Sequence, residues 1–214
     1  MQTVQSAIGF LGGSFDPIHF GHLRPAIEIQ EALELSALFL MPNYIAPHKP
    51  GSIATTKQRI EMLQLAIKET PQLKIDTQEM LRKSPSYTVE TLKLLREQHP
   101  NTPICFIMGM DSLINFDSWY QYQDILQYCH LIISHRPGWQ PTFNPTVTAL
   151  LEKHQVDNID FVTQKLSGCI YFQTTTQLAI SSSKIRALLA NNKPINYLTP
   201  HAVCRYIQTQ QCYT

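Results

Sequence analysis

The 214 residues suffice for one well-packed domain spanning 1–214, and a net charge of +1 with 15% charged residues leaves no basic stripe for a nucleic-acid backbone. Five cysteines (Cys105, Cys129, Cys169, Cys204, Cys212), odd in number and without a C-x-x-C pair, exclude a disulfide framework and a cysteine-built zinc site, so the thiols are expected reduced and mostly buried. No window approaches the roughly 20 apolar residues of a membrane span and no basic leader precedes the first hydrophobic stretch, so a cytoplasmic protein without a membrane partner is expected.

Ile8, Phe10 and Leu11 predict a short buried strand that runs into Gly12 and Gly13, a turn free to take positive φ and to approach a ligand closely. A helix is predicted from near Ile18, and its unpaired N–H groups and dipole suit a phosphate. His19 and His22 then share one face, with Gly21 between them leaving room for a flat or bulky ligand. The pair could be half a zinc site, but no third ligand lies near. Asp16, in the same turn, is a candidate contact for a metal-bound water. Leu23, Ala26, Ile27, Ala32 and Leu33 make the helix amphipathic. Residues 37 to 41 predict a second strand, stopped by Pro42. The proline-rich loop that follows carries Asn43, His48 and Lys49 at the carboxyl end of a strand, where open α/β sheets bind ligands.

A helix is predicted over 56–69 through Ile60, Leu63, Ala66 and Ile67, with Thr55 or Thr56 as cap. Residues 73 to 80 read as a third strand, and a helix follows with Val89, Leu92 and Leu95 inward and Thr88 as cap. The apolar run 103–109 has the pattern of a central parallel strand covered on both faces. Asp111 comes just past its end and is a candidate ligand contact or helix cap. Trp119, Tyr120 and Tyr122 are placed on the next helix, and residues 130–138 give a strand ending at Arg136. From 139 to about 158 no clear pattern emerges, while 159–162 and 169–173 read as short strands. Three serines, 181 to 183, then precede a helix of Ile185, Leu188 and Leu189, and Thr199-Pro200 is the expected cap of a last helix holding Val203 and Ile207. The alternation predicts an α/β, Rossmann-like, doubly wound and mostly parallel sheet of six or seven strands, helices on both faces, with its crevice at the carboxyl ends.

One helix start with histidines and another with serines, Lys184 and Arg186 suggest a ligand with several phosphates gripped from both sides. ATP, carried in with Mg²⁺, is the economical candidate. Adenylyl transfer to a phosphate acceptor needs no covalent enzyme group, only alignment and donors for the developing charge.

The run GGSFDPIHFGH (12–22) is neither the dinucleotide fingerprint nor a Walker A loop; it resembles the signature of the HxGH nucleotidyltransferases. ISSSKIR (180–186) is similar to that family's ISSTxIR, with Ser183 where threonine is usual. PNYIAPHK resembles PxxxPPHK with Ala46 for a proline, EMLRKSPSYTVETL resembles ExxRxGxSYTxxTL with Ser84 for a glycine, and GMDSLINFDSWYQYQDIL resembles GxDxLxxxxxWxxxxxIL. Together these cover most of the chain and resemble the bacterial nicotinate-nucleotide adenylyltransferases. The resemblance implies ATP contacts at Gly12, Gly13, Ser14, Phe15, His19, Gly21, His22, Ile180, Ser182, Ser183 and Arg186, with His19, His22 and Arg186 catalytic. It implies a nicotinate mononucleotide pocket of Asn43, His48, Lys49, Tyr87, Thr88, Asp111, Trp119, Tyr120 and Arg136, where an indole can stack on a pyridinium ring. Another acceptor, such as nicotinamide mononucleotide or phosphopantetheine, and a non-catalytic ATP sensor stay open at this point, as does the oligomeric state.

Overall fold

Short apolar runs that alternate with stretches of helical spacing set the order of elements. The computed structural model describes residues 6–45, 51–82, 85–136, 138 and 141–213. In chain order these form β1 (Ile8–Gly13), α1 (Phe20–Ala32), β2 (Ala37–Pro42), α2 (Thr56–Ile67), β3 (Leu73–Ile75), α3 (Gln78–Arg82), α4 (Thr88–Gln98), β4 (Ile104–Gly109) and α5 (Met110–Ile114). A 3-10 turn (Phe116–Ser118) leads to α6 (Tyr122–Tyr128), β5 (His130–His135), α7 (Pro145–His154), β6 (Gln155–Val156), α8 (Asp160–Gln164), β7 (Ile170–Thr174), α9 (Ser182–Ala190) and α10 (His201–Thr209).

The seven strands form one sheet in the order β3-β2-β1-β4-β5-β7-β6, and every pairing is parallel. Strand order runs outward in opposite senses from β1 and from β4, so a crevice opens between their carboxyl ends. The two faces carry separate apolar layers. Along β4, Ile104, Phe106 and Met108 enter one layer and Cys105 and Ile107 the other, which is why the run reads as continuously apolar. Phe10 pairs in register with Phe39 and Phe106, and its ring stacks on Phe39 at 5.1 Å. All five cysteines are free and buried, and burial pushes the Cys105 thiol up to about 12.

Several local expectations give way to side-chain chemistry. The third strand is only Leu73–Ile75, because Asp76 Oδ1 accepts from Gln78 N–H at 2.8 Å and starts α3. Residues 159–162 are not a strand: Asn158 Oδ1 accepts from Asp160 N–H at 2.9 Å and opens α8, which buries Val162 and leaves Phe161 outside. Trp119 ends the 3-10 turn rather than sitting on a helix, and Gln121, at φ 49°, separates Tyr120 from α6. Thr55 caps α2 in a capping box with Gln58, whereas Thr88 is the first residue of α4 and caps nothing. Thr199 does not cap α10; its hydroxyl donates to the Ile18 carbonyl at 2.7 Å.

His130, at the start of β5, is fully buried, with Nδ1 accepting from Cys169 N–H at 3.1 Å and Nε2 3.0 Å from the Lys165 carbonyl. The backbone donor at Nδ1 places the proton on Nε2. Burial lowers its pKa from 6.5 to about 4. The unfolded chain therefore binds the extra proton first, and stability should be flat above pH 6.5 and fall as pH drops from 6.5 towards 4, by about 3 kcal/mol from this residue. Urea unfolding at pH 7.5 and 5 should show the loss in the wild type and a smaller one in His130→Gln.

Candidate active site

The loop between β1 and α1 is shaped by two rings more than by flexible glycines. Gly12 and Gly13 lie within β1, and the positive φ falls on Phe15, at 47°. The glycines are required for space: a Cβ on Gly13 would sit 2.9 Å from Phe15 Cζ, and one on Gly12 3.2 Å from Phe106 Cζ. Arg59, from α2, crosses beneath this loop with Nη1 donating to the Ser14 carbonyl at 2.9 Å and the Asn43 carbonyl at 2.8 Å. Asn43 N–H in turn donates to the Gly13 carbonyl at 3.0 Å.

The helix begins two residues later than the sequence suggests. His19 is its N-cap in extended conformation, and its carbonyl accepts from His22 N–H at 2.9 Å and Leu23 N–H at 3.2 Å. The imidazoles of His19 and His22 stack at 3.7 Å with planes 22° apart, and Phe15 meets His22 edge-on at 5.1 Å. His19 is only 3% exposed, its Nδ1 has no hydrogen-bond partner among the described residues, and burial lowers its pKa to about 4. The resting ring at neutral pH is thus uncharged.

The room at Gly21 is taken by the protein itself. A Cβ there would lie 3.0 Å from His19 Nδ1 and 3.2 Å from the Ile180 carbonyl, so the glycine lets a loop from the far side of the sheet close against α1. Gly21→Ala is expected to fold but to displace the His19 ring, lowering kcat/KM for ATP by about tenfold, a transition-state loss of about 1.4 kcal/mol. Steady-state kinetics on the variant check this.

That loop is itself tied down. Thr176 N–H and Oγ1 donate to the Glu28 carboxylate at 2.6 and 2.8 Å, and Arg24 bonds the same group at 2.7 Å. At the start of α9 the three serines divide the work. Ser181 is the N-cap and accepts from Lys184 N–H at 3.2 Å; Ser182 donates its hydroxyl to the Pro17 carbonyl at 2.9 Å; Ser183 is exposed. Arg186 Nη1 donates to the Asp16 carbonyl at 2.6 Å. The two motifs therefore meet at Asp16-Pro17. The Asp16 carboxylate is engaged within the protein: its oxygens accept from Ile53 N–H, Ala54 N–H and Tyr213 O–H at 2.8 to 3.0 Å.

Of the other expected residues, Asp111 and Arg136 meet at the carboxyl ends of β4 and β5. Asp111 and Arg136 line a cleft of about 490 Å³ with Gly109, Ser134, His135 and Gln177. Tyr87 and Tyr120 lie with ring centroids 4.7 Å apart, while Trp119 packs edge-on to Phe106 at 6.3 Å and against Phe116 at 5.4 Å. Ser86, just before Tyr87 and Thr88, accepts from Tyr44 N–H at 3.0 Å and donates its own N–H to the Ile45 carbonyl at 2.9 Å, joining the loops after β2 and before α4. Behind them Glu79 is buried and accepts from Thr91 Oγ1 at 2.6 Å; burial raises its pKa against the lowering effect of its hydrogen bonds to Thr91 and Ser86 and of Arg82. His48 and Lys49 lie outside the described residues.

Sequence reasoning missed Arg59, Glu79, Ser134 and Gln177. Arg59 had a signal: it stands three and four positions before Met62 and Leu63, on the buried face of α2, where a charge needs a partner. Gln177 had none, because its amide bonds Ser134 Oγ at 2.9 Å and Thr175 Oγ1 at 2.8 Å only once β5 and β7 are adjacent.

A family model described as cytidylyltransferase-like matches residues 10–188. A protein of Psychromonas ingrahamii named "Probable nicotinate-nucleotide adenylyltransferase" is 58% identical over 213 residues, covering 100% of both chains. One of the same name from Aeromonas salmonicida is 44% identical, covering 98% of each. Among solved structures, the nicotinic acid mononucleotide adenylyltransferase of Plasmodium falciparum complexed with NaAD has the same fold, with a TM-score of 0.75 at 20% identity and 98% coverage of both chains. Full-length identity of this order, joined to two helix starts meeting at Asp16-Pro17, places the chain in the nicotinate-nucleotide adenylyltransferase family.

Proposed function

We propose that this chain transfers the adenylyl group of ATP to nicotinate mononucleotide, giving deamido-NAD and pyrophosphate. The observation that carries the reading is the junction of the two motifs: Ser182 and Arg186 of α9 bond the backbone of Pro17 and Asp16, immediately before the buried His19. A phosphate chain laid there meets imidazoles from one side and a guanidinium from the other. A 5′-phosphate oxygen of the mononucleotide attacks the α-phosphorus, the bond to the β-phosphate oxygen breaks, and pyrophosphate leaves. His19 and His22 supply donors near the α-phosphate, and Arg186, with the α9 N-terminus at Ser182 and Ser183, holds the β and γ phosphates.

The mononucleotide lies along Asn43, Tyr87, Thr88, Asp111, Trp119, Tyr120 and Arg136. Asp111 accepts ribose hydroxyls, N–H groups near Thr88 and Tyr120 hold the nicotinate carboxylate, and the Trp119 indole receives the pyridinium ring. Magnesium enters as part of the substrate, bound to ATP, where it neutralises phosphate charge. The described residues hold no group of three His, Cys, Asp or Glu able to bind an ion, and Asp16 has its carboxylate engaged by N–H and O–H donors. Free, buried thiols suit a reducing compartment, the cytoplasm, and no described helix is long and apolar enough to cross a membrane.

The test is pyrophosphate release from MgATP with nicotinate mononucleotide, nicotinamide mononucleotide and phosphopantetheine in parallel. Release with nicotinate mononucleotide alone is expected. Release only with another acceptor overturns the pocket assignment, and silence with all three overturns the reaction.

A further inference from the structure

The Asp16 carboxylate is 3% exposed, and its Oδ2 is ion-paired with Arg186 Nη1 at 3.8 Å, too far for a hydrogen bond. Three other donors claim it. Ile53 N–H reaches Oδ2 at 2.8 Å, Ala54 N–H reaches Oδ1 at 3.0 Å, and Tyr213 O–H reaches Oδ1 at 2.8 Å. Arg186 Nη1 hydrogen-bonds the backbone oxygen of Asp16, and its side chain keeps 26% exposure. Tyr213 stands 197 positions from Asp16 and is delivered by packed structure. Cys212 beside it is buried in the core, its N–H donates to the Ile207 carbonyl of α10 at 3.0 Å, and the tyrosine packs on the same core. Burial, with the Asp16 charge adding to it, raises the phenol's pKa, so it stays a donor.

We propose that Tyr213 is a positioning residue for ATP: by occupying Oδ1 of Asp16, its hydroxyl keeps that carboxylate turned to the 53–54 backbone, so that the Arg186 ion pair stays long, at 3.8 Å, and the remaining guanidinium N–H groups are left to the phosphates. The inference rests on Arg186 as a phosphate ligand. A buried carboxylate that loses a donor recruits the nearest available cation. Arg59 is already committed to the Ser14 and Asn43 carbonyls, so Arg186 is the group that would turn. The long ion pair would then tighten to a hydrogen-bonded one, turning the guanidinium away from the phosphates.

Tyr213→Phe in the full chain is the test, since the ring and its packing stay. KM for ATP, and Kd for MgATP measured by calorimetry without mononucleotide, should rise about tenfold, as for one lost charge-assisted contact. KM for nicotinate mononucleotide should stay within about twofold, and Tyr213→Phe added to Arg186→Gln should shift KM for ATP by less than about twofold, since no guanidinium is left to capture. Reversible partial unfolding raises the apparent constant of every ligand that binds only the folded chain, so it would move both substrates together and does not imitate this split. Unchanged ATP constants, equal rises for both substrates, or the full tenfold shift in the Arg186→Gln background would overturn the proposal. A wild type that turns over while Tyr213→Phe keeps its ATP constants sinks this inference alone; a wild type that neither binds nor turns over MgATP sinks the reading of the site and this inference with it.

Discussion

His19→Ala is expected to lower kcat by about a hundredfold to a thousandfold, or about 2.7–4 kcal/mol, the usual loss when one preorganised donor to a developing charge is removed. The ring is already in place before substrate arrives. It is 3% exposed, held against His22 at 3.7 Å, and lies at the N-cap of α1, where the helix dipole adds to any donor. Its pKa of about 4 reflects burial alone. A triphosphate set beside it reverses that balance and raises the pKa, so ATP binding should take up protons. The sign follows: affinity for ATP should weaken as pH rises through the bound-state pKa. Calorimetry in buffers of different ionisation enthalpy measures the uptake directly, and it should vanish in His19→Ala. A kcat within about threefold of wild type would remove His19 from the mechanism.

Arg59→Met should destabilise the fold by about 3–5 kcal/mol, which for a chain of this size lowers Tm by roughly 10 °C. The guanidinium is 2% exposed and is lodged where desolvation lowers its pKa, offset by the charge of Asp16. It persists because Nη1 satisfies the Ser14 and Asn43 carbonyls at once. Methionine fills the volume but leaves those carbonyls without their donor and removes one of the positive charges near Asp16. Since Ser14 lies on the β1–α1 loop and Asn43 on the loop after β2, KM for both substrates should rise together. Arg59→Lys keeps the charge but not the planar fork, and should recover about half the lost stability. Urea unfolding of the three proteins decides the point; a loss below about 1 kcal/mol for the methionine variant would show that the tether contributes little.

The gross plan of the molecule was legible because burial leaves a periodic trace. The run 104–108, apolar at every position, could only be a strand covered on both faces, and the spacing of Val89, Leu92 and Leu95 could only be one face of a helix. Where an element is short the trace fails. Asp76 and Asn158 each start a short helix by a single side-chain hydrogen bond, and no hydrophobic period announces it; the two-residue β6 is likewise too short to show alternation.

The site divides along the same line. The motif residues His19, His22, Ser182 and Arg186 were named by sequence because local chemistry, glycine, histidine and hydroxyl at a helix start, is contiguous in the chain. What holds them was not, because a hydrogen bond between distant segments leaves no pattern in either one. Asp16 meets Ile53, Arg186 and Tyr213 only after the sheet has brought them together, and Gln177 finds Ser134 only across β5 and β7. Even the glycines changed meaning. Gly12 and Gly13 were read as freedom for the backbone and Gly21 as room for a ligand, yet folding makes them gaps for the Phe106, Phe15 and His19 rings. The sequence by itself singled out the candidate groups of the site and the buried face of each long element; the tertiary structure alone decided their protonation, their spacing and what pins them, because desolvation and long-range hydrogen bonds exist only in the packed state.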